Sequence, residues 1–521
     1  MKGGRASLFA ILLTSATLLL LLLVVFTISN RTATSTELVG VSRGAEHAVS
    51  FASSKGLAGR SMLHMEMTVG AAADGGVAAK RGAVSLHAKH KKSKKFTHGD
   101  DLTQQQEARL TVGLWDDNVN FDSFAEFSAA LNAIPAGPDA QRQQQQQRSE
   151  PDVVGGPGSG GFPPVDHRDR VRLVVKDAAS GGLPVAGASV SVRLTVPGST
   201  AAGASRVMRA GSGGVVTILP RLLFPAAFAG GTATHGSELV VSVGGGATTI
   251  SVPLPVALQP TGAAPVAVLA GAPGGATMTT GIDVAVVLDT TGSMGDELRF
   301  ITGELAGIAQ AVVQRHPRVH LRFAVVLYRD VGDDYVVKGL DFSASVDVTA
   351  KRLVGETASG GGDYPEAAEQ ALHFANDQLS WSADPATLRL AFWIADAPHH
   401  NEHAAAMAGA IANASTKGIR IYPVAGSGAN DLLEFTMRAA ALATSGRYMF
   451  LTDHSGIGGS HKEPRMPCYF VTKLRHAMER CIAMELAGQF VQPAPAEVLT
   501  TVGDVQDRRC QTRSGRVVYA A

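Results

Sequence analysis

The chain has 521 residues, a formal net charge of +1 and 17% charged residues. That length allows two or three domains, and the near-neutral balance excludes the broad basic field by which nucleic-acid binders gather on phosphate. The three cysteines, Cys468, Cys481 and Cys510, fall in the last stretch of chain and exclude a disulfide scaffold or a zinc knuckle.

At the N-terminus, Lys2 and Arg5 precede an uncharged run from Ala6 to Asn30 that includes LFAILL and LLLLLLVVF. A run of this length can span a bilayer, and the basic residues before it would keep the N-terminus cytoplasmic. Residues 1–30 are thus expected to be a signal-anchor or a cleaved signal peptide. Either form sends the remainder out of the cytosol, as a single-pass type II membrane protein or a secreted one. The expected location is the cell surface or the extracellular space, with membrane contact through the apolar segment if it is uncleaved. Asn30 heads the glycosylation sequon Asn30-Arg31-Thr32, and Asn413 heads Asn413-Ala414-Ser415 inside an expected helix.

Residues 31–165 read as a mostly disordered linker. They hold a basic run, Lys89 to Lys95, a glutamine run, Gln143 to Gln147, and the linker composition GGPGSGG. One aromatic-dense segment interrupts them, LTVGLWDDNVNFDSFAEF from Leu110 to Phe127. Over 168–256 the pattern becomes period two. VRLVVKD, ASVSVRLTV, GVVTILP, ELVVSVG and TTISVPL are short β-branched runs broken by Gly, Pro and Ser, which predicts a small antiparallel sandwich.

Over 280–455 the rhythm changes again. Apolar runs IDVAVVL, RFAVVLY, LRLAFWIA, IRIYPVA and YMFLT alternate with helical stretches. This predicts an α/β fold, a Rossmann-like doubly wound and mainly parallel sheet. Glu434 and Arg438, at i,i+4 spacing, are expected to form a surface pair. Residues 465–521 read as a C-terminal helix and tail. Val471, Leu474, Met478 and Cys481 share one helical face, which makes Cys481 a buried thiol and leaves Cys468 and Cys510 to pair in an oxidising compartment.

In parallel sheets, ligands bind beyond the carboxyl ends of the strands. The first strand ends in Asp289-Thr290-Thr291-Gly292-Ser293, a turn offering one carboxylate and two hydroxyls. A later strand ends in Asp396. Between them Gly360-Gly361-Gly362-Asp363-Tyr364-Pro365 opens a helix, with Asp363 as cap and third carboxylate. Hard cations take such oxygens. Two carboxylates about 4 Å apart repel by roughly 4 kcal/mol at an effective dielectric of 20, so converging acids call for a cation.

These residues resemble the von Willebrand factor A domain and its metal-ion-dependent adhesion site, built from D-x-S/T-x-S, a Thr in a second loop and an Asp after a later strand. Asp289, Thr291 and Ser293 match the first element and Asp396 the last. Asp363 stands where the family pattern has Thr. The resemblance implies Mg²⁺, or Mn²⁺ or Ca²⁺, held by Asp289, Thr291, Ser293, Asp363 and Asp396. It also implies a protein ligand captured through an acidic residue, in an adhesion module that is not an enzyme and binds no nucleic acid. The segment GGLPVAGASV resembles carboxypeptidase-regulatory-like and Ig-like domains. DDNVNFD, YRDVGDD, GGGDYPEA, IADAPHH, GRYMFLTDHSGIG and MPCYFVTKL look like exported microbial proteins that carry such an A domain.

Two other functions compete. A surface-assembly protein would keep the same domain as a stiffener. A haloacid-dehalogenase-like phosphohydrolase would use Asp289 as nucleophile, but it needs an acid where Ser427 stands and leaves GGGDYPEA unexplained. His399, His400 and His403 are spaced so that they could bind zinc or copper, but they lack an HExxH frame and a Cys partner and read rather as an exposed loop and helix start.

Overall fold

The structure, a computed structural model, describes residues 110–132, 162–254 and 266–521 apart from short internal stretches. The apolar run, Asn30 and the basic and glutamine runs lie outside the described residues. Among those described, no helix is long and apolar enough to cross a membrane.

The first elements are β1 (Thr111–Trp115) and α1 (Phe121–Asn132). Then come β2 (Val171–Asp177), β3 (Leu183–Pro184), β4 (Ser189–Thr195), β5 (Ser205–Arg209), β6 (Val215–Ile218), β7 (Glu238–Val243), β8 (Thr248–Pro253) and β9 (Val266–Ala270). They form two four-stranded sheets, one with β3-β2-β6 and β9 on β2, the other ordered β5-β4-β7-β8. The period-two pattern is the cause. Val171, Leu173 and Val175 of β2 alternate with partly exposed residues and share a core with Val190 and Val192 of β4 and Leu239 and Val241 of β7.

The remaining elements are β10 (Gly281–Asp289), α2 (Gly295–Arg315), β11 (His320–Tyr328), β12 (Val337–Ser343), α3 (Ala368–Asp377), β13 (Thr387–Ala395), α4 (Ala404–Thr416), β14 (Ile419–Ala425), α5 (Asp431–Thr444), β15 (Tyr448–Leu451), β16 (Tyr469–Lys473), α6 (Leu474–Ala487), β17 (Thr500–Val502), β18 (Arg509–Gln511) and β19 (Val517–Tyr519). Nine strands make one sheet in the order β12-β11-β10-β13-β14-β15-β1-β16-β17. β11, β10, β13, β14 and β15 run parallel. The near-continuous apolar runs are buried on both sides. Val284, Val286 and Leu288 of β10 pack with α2 and α6, whereas Ala285 and Val287 face the layer that holds α1, α3, α4 and α5.

Two expectations are corrected. Residues 110–127 are not a segment of a disordered linker: β1 pairs antiparallel with both β15 and β16 inside the large sheet. All five β1 residues are buried, so the strand is held by partners more than 300 residues away, which local periodicity does not register. Nor is 465–521 only a helix and tail, since β16 and β17 extend the same sheet. The two-sheet module is therefore inserted in sequence between β1 and the rest of the sheet that β1 joins.

The same segment overturns the expected surface pair. Arg438 and Glu434 are both about 1% exposed, because Asp117 and the rings of α1 cover them. Arg438 Nη2 lies 2.7 Å from Asp117 Oδ1 and Nη1 3.1 Å from Glu434 Oε1, with its guanidinium 4.2 Å from the Phe127 ring centroid. Cys468 is joined to Cys510 by a disulfide across 42 residues. Cys481 is a buried free thiol on α6, its pKa pushed up to about 12, first by burial. Asn413 lies on α4 with its amide donated to Asp377.

The inserted module meets the sheet at the start of β13 and β14. Arg209 Nη2 donates to the carbonyls of Asp384 and Thr387 at 2.6 and 2.9 Å. Arg420 donates to Ser212 O and to Glu485 Oε1, each at 2.9 Å. At the opposite ends of the strands, β10 is followed on one side by β11 and on the other by β13, which opens the switch-point crevice at Asp289 and Asp396.

Candidate metal centre

Asp289, the last residue of β10, is fully buried. Its Oδ1 accepts from the Thr291 N–H at 2.9 Å and from Thr291 Oγ1 at 2.7 Å, an Asx-type turn that folds the loop over the strand end. Thr291 Oγ1 is 3.3 Å from the Oγ of Ser293, which lies exposed at the mouth. Asp289 Oδ2 is buried without a hydrogen-bond partner, and so is Oδ1 of Asp396, the residue after β13.

The glycine loop sits on this turn. Ser359 N–H donates to Thr290 O and Gly292 N–H to Gly360 O, both at 3.1 Å. Beyond it, Glu366 N–H donates to Pro398 O at 2.8 Å, which clamps Glu366 to the segment that follows Asp396. Gly361 needs its φ of +74°, and a Cβ there would stand 2.7 Å from Glu366 Oε1 and 3.2 Å from Thr291 Cβ. Only glycine lets the Glu366 carboxylate lie so close to Thr291. Glu297, in the first turn of α2, is buried and accepts from Ser427 N and Oγ. Glu297 Oε2 and Glu366 Oε2 are again buried and unpartnered.

Four carboxylates thus converge, each with one unsatisfied buried oxygen. The charges are felt mutually. Burial raises the Asp289 pKa against the pull of the Thr291 hydrogen bonds. Burial, then the Asp289 charge, raises Asp396. Glu366 is pushed up to about 9 by burial and then by Asp289, Asp330, Asp333 and Asp396. The guanidinium of Arg329 is engaged elsewhere, by Thr357 O at 2.8 Å and Asp334 at 3.4 Å. Buried carboxylates left this way must take up protons or a cation. An all-oxygen set of carboxylates and hydroxyls fits a hard divalent ion.

Of the residues singled out by sequence, Asp289, Thr291, Ser293 and Asp396 come to this crevice. Asp363 is exposed, and its carboxylate groups instead with Asp330 and His400. It is not the cap of α3 either, because that helix starts at Ala368 and its N-cap is Ala367. Glu366 and Glu297 were missed. The expected early helix start hid Glu366, which in fact is bridged to His399 before the helix; Glu297 carries no distinguishing signal, because acids are common in the first turn of a helix. The histidines are not simply an exposed loop: His399 is fully buried, His400 Nε2 is 2.7 Å from Asp330, and His403 Nδ1 is 2.7 Å from Glu369.

Residues 283–456 match the family model of the von Willebrand factor A domain. An ariadne-like RING finger protein of Acanthamoeba polyphaga mimivirus is 32% identical over 121 residues, which are 23% of this chain and 11% of that protein. The chain thus spans about a tenth of the length of this curated relative. Among solved structures, the conserved hypothetical protein BatB from Bacteroides thetaiotaomicron is 13% identical with a TM-score of 0.28, over 40% of this chain and 99% of that one. Proximal thread matrix protein 1 from the mussel byssus is 15% identical with a TM-score of 0.25, over 32% and 40%.

Proposed function

We propose that this chain, with a von Willebrand factor A domain at residues 283–456, binds a protein partner through a divalent cation at the carboxyl ends of β10 and β13. The observation that carries it is the set of unpartnered buried oxygens on Asp289, Glu297, Glu366 and Asp396. Asp289, Thr291, Ser293 and Asp396 would hold the ion, Mg²⁺ by preference for hard oxygen ligands and Mn²⁺ or Ca²⁺ by the same chemistry. Glu366 serves as the third acid, and Asp363 is not required. The ion supplies a positive anchor at the mouth, where Ser293 is exposed to a partner. With Glu297 and Glu366 beside Asp289 and Asp396, the ion keeps less charge for an acidic group of that partner than the family pattern leaves. The chain acts as a binding module rather than an enzyme, and it works outside the cytosol. The long apolar run at Ala6–Asn30 and the Cys468–Cys510 disulfide support export.

The test is capture of proteins from the extracellular milieu by the intact chain in Mg²⁺, by Asp289→Ala in Mg²⁺, and by the intact chain in chelator. A partner held only in the first arm is expected. A partner held equally in all three would overturn the metal-dependent function.

A further inference from the structure

The chain as a whole is balanced, with 46 lysines and arginines against 45 aspartates and glutamates. The mouth of the crevice is not. The four stretches that frame it, 289–297, 329–336, 358–366 and 396–403, hold ten carboxylates, one arginine and no lysine. That arginine, Arg329, is buried and engaged by Thr357 O and Asp334. His400 is paired with Asp330 at 2.7 Å, with Asp363 and Glu402 beside that pair.

The acids form two tiers. Asp289, Glu297, Glu366 and Asp396 are each at most 4% exposed, and each keeps a buried oxygen without a partner. Around them Asp296, Asp334, Asp363 and Glu402 reach solvent. Asp330 and Asp333 lie near enough for their charges to act on Glu366. Asp333 Oδ2 accepts from Asp330 N at 3.1 Å and from Gly361 N at 3.0 Å, so the two loops are tied together and cannot splay to relieve the repulsion. One divalent ion matches only two of the four inner charges. With the ion in place, the mouth still repels a carboxylate and attracts an ammonium or guanidinium group.

Resting on the reading that this crevice binds a protein partner, we infer that the partner presents a lysine- or arginine-bearing surface, received by Asp334, Asp363 and Glu402 while the ion occupies the inner oxygens. This is the opposite of the acidic group that the A-domain resemblance implies. Val331, next to Asp330 in the chain and 62% exposed, offers the aliphatic contact that the stem of such a side chain takes. Charge thus selects the partner, drawing basic surfaces in and turning acidic ones away.

The probe is a phage-displayed library of random dodecapeptides, selected in Mg²⁺ on the full chain and in parallel on the triple variant Asp334→Asn, Asp363→Asn, Glu402→Gln. All three positions are exposed and outside the ligand set of the ion, so Mg²⁺ binding by the variant serves as the check on its fold. Peptides from the intact chain are expected to be enriched in Lys and Arg and depleted in Asp and Glu relative to the input. Such a peptide should bind the triple variant about 2–5-fold more weakly for each acid removed, the range of exposed ion pairs. Peptides enriched in Asp or Glu, a selection without charge bias, or the same Lys and Arg enrichment on the triple variant would each overturn the inference. Absence of Mg²⁺ uptake by the intact chain in calorimetry would instead count against the metal-dependent function alone, since the outer acids do not ligate the ion.

Discussion

At the amino ends of β13 and β14, Arg209, Arg389 and Arg420 are all engaged: Arg389 donates to Lys417 O at 2.8 Å and to Ser382 O at 2.7 Å, and Arg420 meets Glu485 at 2.9 Å. At the carboxyl ends of β10 and β13, four buried carboxylates each keep an oxygen with no partner. Both edges bury charge. One sets bases against an acid, Arg420 beside Glu485, whose Oε2 alone stays unpartnered, and joins the inserted module to the sheet. The other is unmatched, and buried charge without a partner is costly unless something outside the chain supplies the opposite sign. The contrast separates a joint from a site.

The contrast breaks most plainly at Asp289. Asp289→Ala is expected to abolish Mg²⁺ and Mn²⁺ binding in titration calorimetry, since it deletes the charged ligand at the strand end; a surviving isotherm would refute the site. At the matched edge, Arg420→Met should leave Mg²⁺ affinity unchanged. It should cost about 3–5 kcal/mol in urea unfolding, the usual penalty for removing one partner of a buried pair. Equal stability in the two proteins would erase the distinction between the edges.

The unmatched edge should respond with the opposite sign. Asp396→Asn removes a buried like charge, so in chelator at pH 8 it should stabilise the protein by about 1–3 kcal/mol while it loses the ion. The pH dependence follows from the same cause. Asp289, Glu366 and Asp396 hold protons more tightly folded than unfolded. Where the unfolded state binds fewer protons, stability falls as pH rises. In chelator, Tm should therefore drop by a few degrees between pH 5 and 8, starting above the ordinary carboxyl values and ending near the raised ones. Mg²⁺, which takes the place of the protons, should close most of that gap, and Asp396→Asn should flatten it. A Tm that climbs with pH in chelator would show that other groups dominate. The smallest effect belongs to Asp363→Thr, which should leave Mg²⁺ affinity within about twofold, the few tenths of a kcal/mol typical of an exposed charge. A tenfold loss would return Asp363 to the metal site.

Sequence alone was enough for whatever depends on neighbours in the chain. Ile282–Leu288, Leu388–Ala395 and Ile419–Ala425 are strands in the structure because apolar runs bounded by turns can bury both faces only inside a covered parallel sheet. Asp289 and Asp396 could be singled out because strand ends are where such sheets bind, and Thr291 because a D-x-S/T-x-S turn offers its oxygens close together. Tertiary structure decided what depends on distant partners. Five buried residues at Thr111–Trp115 carry too little pattern to reveal that they complete a sheet with β15 and β16. Arg438 is buried because Asp117, 321 residues away, supplies its counter-charge. Glu366 joins the crevice, and Asp363 leaves it, because the chain bends through 362–364 and then bridges Glu366 to His399 and clamps onto Pro398 before α3 begins. A helix pattern fixes which residues share a face, but where the helix starts is set by what the preceding segment pairs with, and that pairing lies outside any local window.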